Sequence, residues 1–267
     1  MARIGALIDM LSALGGPPLA RLQEMGRMAV FFFNGLFLVF SYPFQLRKFV
    51  QQVYFIGAKS VVVVALTGAF TGMVLGLQGY YTLVKFGSEG LLGAAVALSL
   101  IRELGPVLTA IMIIGRAGSA IAAELGMMRV SEQIDALATM DVNPIRFLIS
   151  PKLAAAAISF PLLTAIFDVV GIYGGYLTGS MLLGISPGAY FARIESSVSM
   201  TDINGGFIKS IVFAAVVMAV CCYRGYFVHT RKEGFGAKGV SLTTTSAVVM
   251  SSVLVLVADY VLTSFLL

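Results

Sequence analysis

Six ionisable side chains, Arg102, Glu103, Asp168, Lys209, Asp259 and, at a boundary, Arg224, interrupt stretches otherwise apolar enough to cross a membrane. Each costs roughly 2.5–3.5 kcal/mol at a bilayer centre unless it is paired or faces water. Arg102 and Glu103 are adjacent, and neighbours on a helix point about 100° apart, so each needs a partner elsewhere. Depth along alternating spans sets Lys209 level with Asp259 and predicts that they pair. It also sets Asp168 near the level of Arg102. Such groups either fix helix register as ion pairs or line a polar cavity for a charged headgroup or an ion. Arg102 is the strongest candidate for a phosphate, because a planar guanidinium offers two parallel hydrogen bonds and stays charged when partly desolvated. The competing reading neutralises it permanently with Asp168 or Glu103.

The elements that must position these groups are membrane helices. Of 267 residues 58% are hydrophobic and 12% charged, against roughly a quarter charged in soluble domains. The long apolar blocks exclude both a soluble enzyme and the short alternating segments of an outer-membrane barrel. The net charge of +5 flanks apolar blocks, which points to lipid headgroups and not to nucleic acid. No residue between Lys59 and Lys85 is charged, and further spans are predicted at about 90–115, 153–179, 204–226 and 240–265, making five. Residues 1–50 read as interfacial and elbow helices: Ile4, Leu7, Ile8, Leu11 and Leu14 recur at helical spacing, and Ala29 to Phe40 is too short to span. Residues 51–267 form the membrane domain, and the fold class is all-α. Placing the N-terminus in the cytoplasm puts most Lys and Arg inside, with Lys85 and Arg193 outside; the C-terminus is then periplasmic.

Gly68, Gly72 and Gly76 repeat every fourth residue in the first span, and Gly171, Gly175 and Gly179 do so in the third. Such faces let helix backbones approach closely. They can pack within one chain, meet a second copy or wall a cavity, and the first stripe is expected at or beside the contact between two copies. The loop after the second span, 116–151, mixes both charge signs with apolar residues at helical spacing, including Ile121, Leu125, Ile134 and Leu137. It reads as an amphipathic cytoplasmic helix that either covers the bundle or fits a groove on a separate motor subunit. No G-x-x-x-x-G-K-[ST] pattern occurs, so nothing here is built to hydrolyse a nucleotide. The single histidine, His229, lies in a basic loop, and Cys221 and Cys222 are adjacent in an apolar run. Neither supports a Ser–His hydrolase or a metal site.

The runs Gly72 to Tyr80 (GMVLGLQGY), Ala97 to Val107 (ALSLIRELGPV), Gly115 to Gly126 (GRAGSAIAAELG), Glu132 to Leu137 (EQIDAL) and Asp141 to Pro144 (DVNP) together resemble the MlaE/YrbE permease family. The resemblance covers about residues 50–267. It implies the membrane subunit of an ABC transporter in the bacterial inner membrane, moving phospholipid. The implied partners are a second copy of the chain, two ATPase subunits, a periplasmic ring of MCE-domain proteins and a small cytoplasmic STAS-type subunit. ATP and Mg would be held by the ATPase, with no cofactor or metal in this chain. By motif position the lipid cavity would include Leu75, Leu83 and Phe86 with Arg102, Glu103, Lys209 and Asp259. Glu124, Gly126, Met127 and Arg129 would lie near the centre of the coupling helix. The alternative from the residues alone is an ion-coupled secondary transporter using the same buried charges. A third reading is a scaffold that anchors partners.

Overall fold

The computed structural model describes residues 23–39, 45–230 and 236–266; the expected surface helix at Ile4 to Leu14 lies outside them. Five helical spans are long and apolar enough to cross a membrane: Leu46–Val84, Glu89–Val130, Ile145–Leu182, Met200–Tyr226 and Ala237–Leu266. Among the described residues no strand occurs, and the all-α class holds. Helix α1 covers residues 23–39. The first span comprises α2 (Leu46–Ile56) and α3 (Val61–Val84), joined by a tight turn at Gly57. The second contains α4 (Leu92–Ser99), α5 (Gly105–Ile113) and α6 (Ser119–Val130), and the short α7 (Gln133–Thr139) follows it. The third span is built on α8 (Ser150–Tyr176), followed by α9 (Pro187–Ser197). Helices α10 (Met200–Tyr226) and α11 (Ala237–Leu266) are spans four and five.

The two glycine stripes meet each other. Gly68 lies against the backbone of Phe167, Gly72 against the carbonyl of Gly171, and Gly76 against Gly175. In hydrocarbon no water drives helices together, so close backbone contact supplies the attraction. The first stripe is therefore consumed by helix packing inside one chain. Of the alternatives open for this stripe, helix packing is the one present, because span three occupies that face. The opposite side of α3 presents Leu66, Phe70, Val74 and Tyr81 outward, as lipid tails require.

The second span runs further than its hydropathy suggested. Arg116 to Val130, expected to begin a separate loop helix, continues the same rod. Ile121, Ala122 and Leu125 on α6 are fully buried, and Gly225 of α10 packs on the Ala122 carbonyl. The separate element is α7, docked through the buried Ile134. It is bracketed by two left-handed residues, Glu132 (φ 58°) and Asp141 (φ 57°), a conformation costing side-chain-bearing residues roughly 1–2 kcal/mol each. Helix α9, read as loop from the sequence, is held by Tyr190, whose hydroxyl donates to the Ile172 carbonyl at 3.1 Å. Burial pushes that phenol's pKa up.

Candidate functional site

The site grows from a proline. Pro106 lacks an N–H, so a regular helix would leave the Arg102 carbonyl, four residues earlier, without its donor. The chain relaxes into a π-helical turn over Leu100–Leu104, the kind of irregularity common at functional positions. Lys209 Nζ donates to the orphaned Arg102 carbonyl at 2.8 Å. It also donates to Glu103 at 2.8 Å and to the Thr263 hydroxyl at 2.7 Å. An ammonium has three donors, and all three are thereby committed. Asp259 Oδ1, 3.1 Å from Nζ, contributes its charge rather than a further hydrogen bond and has no hydrogen-bond partner among the described residues. The pairing that matching depth predicts for Lys209 and Asp259 is present, with Glu103 as a second carboxylate on the same cation.

Arg102 goes elsewhere. Its Nε and Nη2 both lie 2.7 Å from Asp202 Oδ1. The other carboxylate oxygen, Oδ2, accepts from the Ser199 backbone N–H at 2.9 Å and from its hydroxyl at 2.8 Å. Asp202 is thus the third residue of the helix and closes the capping box that starts span four, and it is at the same time the anchor of Arg102. Neither Asp168 nor Glu103 neutralises the guanidinium. Sequence reasoning missed Asp202 and Thr263; the Ser199-x-x-Asp202 spacing is the signal that could have found the first. Asp168 on α8 lies against Gly105, so closely that a Cβ there would collide with it. It borders a separate cavity of about 160 Å³ with Thr164, Ile101, Ile203 and Phe207.

Arg102, Glu103, Asp202, Lys209 and Thr263 line one cleft between spans two, four and five, of about 60 Å³. Drug-sized ligands fill roughly 300–1,000 Å³, so one chain's cleft admits a headgroup and not a whole lipid. The Lys209 side chain is 3% exposed and the Arg102 side chain 40%; the lysine is locked and the arginine is accessible. Leu75 and Leu83 instead pack against the core from the first span, and Phe86 is exposed beyond its end. Within one chain they do not line this cleft, because α8 stands between α3 and α10.

At the α7 end the expected coupling residues are divided. Glu124 pairs with the buried Lys152 at 2.8 Å. Gly126 packs on Val240. Arg129 bonds to Asp135 at 2.6 Å and to His229 Nδ1 at 2.9 Å. Burial and that guanidinium together lower the His229 pKa. Met127 on α6 and Met140 just after α7 are exposed.

The sequence profile of the family described as Permease MlaE matches residues 49–265. A protein of Haemophilus influenzae named intermembrane phospholipid transport system permease protein MlaE is 40% identical over 265 residues, covering 97% of this chain and 98% of its own. A probable ABC transporter permease protein of Rickettsia typhi is 39% identical over 260 residues, 97% of this chain and 98% of its own. The chloroplastic protein TRIGALACTOSYLDIACYLGLYCEROL 1 of Arabidopsis thaliana is 40% identical over 219 residues, 82% of this chain and 61% of its own. The motifs of span two, the five-helix architecture and a match spanning nearly the whole membrane domain converge: this chain belongs to the MlaE permease family.

Proposed function

We propose that this chain is the membrane subunit of an ATP-driven phospholipid transporter in the bacterial inner membrane, acting as a homodimer. Two separate ABC ATPase subunits hold ATP and Mg at the α7 end, which is cytoplasmic. A periplasmic MCE-domain ring receives or delivers lipid at the α9 end, and a small STAS-type subunit can join the cytoplasmic side. The observation that carries the reading is an accessible arginine at membrane depth. Arg102 is held by a single carboxylate and leaves Nη1 without a partner among the described residues. The cleft is lined by two carboxylates, Glu103 and Asp202, and two cations, Arg102 and Lys209, and Lys209 is also ion-paired to Asp259. A phosphate therefore enters by displacing Asp202 from Arg102, while Asp202 keeps its bonds to Ser199. The cleft's small volume supports a cavity completed by the second copy, with acyl chains against apolar faces such as that of Leu75, Leu83 and Phe86.

Arg102→Lys keeps the charge and loses the planar fork. Loss of one charge-assisted hydrogen bond, about 1.4 kcal/mol, corresponds to about tenfold in affinity. Phospholipid retained by the purified variant, measured by mass spectrometry, should fall by about that factor while thermal stability stays near wild type. Full lipid retention with full transport would remove Arg102 from headgroup handling.

The ATPase docking surface is proposed around the exposed Met127 and Met140, with α7 between them. Charge reversal at Glu124 is a poor probe, since it would strand the buried ammonium of Lys152. Met140→Asp places a charge in the contact without touching a buried pair. It should lower copurification of the ATPase about tenfold with an unchanged melting temperature. Wild-type stoichiometry and normal transport would move the docking site elsewhere.

One observation favours the ion-coupled reading. Asp168 Oδ1 and Thr164 Oγ1, a turn apart on α8, are both buried without a hydrogen-bond partner among the described residues. That reading requires transport without an ATPase.

A further inference from the structure

A second arginine sits in a cavity far from the cleft. Arg224 lies in the last turn of α10 and is 9% exposed. Its Nη2 points at the thioether of Met250 at 2.9 Å, a weak acceptor. Its Nη1 is 3.3 Å from Glu24 Oε1 on α1 but is not aligned to donate to it, and neither Nη1 nor Nε has a hydrogen-bond partner among the described residues. The guanidinium opens on a cavity of about 240 Å³ walled by Glu24, Met25, Met28, Tyr223 and Met250. A favourable helix dipole accounts for an arginine at a helix C-terminus. It does not account for two buried guanidinium nitrogens that lack a hydrogen-bond partner among the described residues, beside a space several times the roughly 30 Å³ of a water.

The chemistry that completes such a site is an anion with paired acceptor oxygens, which matches the guanidinium fork. The residue lies two positions from the α7 end of its span, where lipid headgroups meet water, and its flexible methionine walls suit the first carbons of a lipid. Basic pockets between membrane helices at this level are known recognition elements for anionic headgroups. We propose that the Arg224 cavity binds a phosphate group, delivered as the headgroup of an anionic phospholipid of the α7-side leaflet, with Glu24 as the competing internal carboxylate. The site is separate from the Arg102 cleft and stands or falls independently of the transport reading.

Binding is measured by native mass spectrometry on the purified full chain, titrated with dioleoylphosphatidylglycerol, dioleoylphosphatidylcholine or inorganic phosphate. Arg224→Gln should weaken phosphatidylglycerol binding at least tenfold. Glu24→Gln removes the competitor and should strengthen it several-fold, a gain that misfolding cannot produce. Both effects should persist in an Arg102→Lys background, which separates this site from the cleft. Equal Arg224-dependent binding of inorganic phosphate would make it a small-anion site and overturn the lipid assignment. Equal response to the zwitterionic lipid would overturn the anionic preference. No change in either variant would overturn the site itself.

Discussion

Gly72→Leu should destabilise the individual chain, before any question of dimerisation arises. At this position a Cβ would overlap the carbonyl of Gly171, a backbone atom that cannot rotate away. Overpacked sites typically cost 1–3 kcal/mol, and with helix backbone as the obstacle the upper end, about 3 kcal/mol, applies. For a chain of this length that corresponds to about 6–12 °C in Tm. Gly115→Ala is the control, since a Cβ there meets nothing within 4 Å, and its effect should stay within about 0.5 kcal/mol. Thermal unfolding in detergent, read beside size-exclusion chromatography, separates the outcomes. A Gly72→Leu chain that melts like wild type but runs as a monomer would restore the stripe to a subunit contact.

Lys209→Ala should be the most damaging single change in the cleft. It removes the donor for the Arg102 carbonyl, for Glu103 and for Thr263, and leaves Glu103 and Asp259 facing each other without a cation. Breaking a buried pair by removing one partner costs about 3–5 kcal/mol. Asp259→Asn should cost only about 1 kcal/mol, because Lys209 keeps Glu103 and all three of its hydrogen bonds. Adding Glu103→Gln and Asp259→Asn to Lys209→Ala should recover part of the loss, measured as non-additivity in a mutant cycle. Strict additivity, with each single change under about 0.5 kcal/mol, would mean that the groups face water independently.

The sequence was legible where one physical rule governed one residue. Apolar length placed the five spans, since a hydrocarbon core permits little else. Matching depth paired Lys209 with Asp259, because an ammonium at that level must find a carboxylate. The rule ran out where a residue serves two elements. Asp202 looked like a loop residue beyond span four, yet its capping box extends the helix by several residues and turns its free oxygen to Arg102. The glycine stripes announced close packing but not their partner, because the same spacing suits a neighbour in the chain or in a second copy. The 116–130 segment carried charges that read as a loop. Glu124 is exposed enough to reach water, and its partner Lys152 is buried only because α6, α8 and α2 converge there. The separation of Leu75 and Leu83 from the cleft followed from the position of α8, which no single motif encodes.

In the proposed cycle, ATP hydrolysed by a separate subunit moves phospholipid through the space that Arg102 faces. The direct measurement reconstitutes the chain with its candidate ATPase in liposomes and follows transfer of a labelled phospholipid to an acceptor protein. Transfer should require ATP, fall about tenfold in Arg102→Lys, and be indifferent to an imposed proton or sodium gradient. Transfer by the chain alone, driven by such a gradient and abolished by Asp168→Asn, would contradict ATP-driven transport.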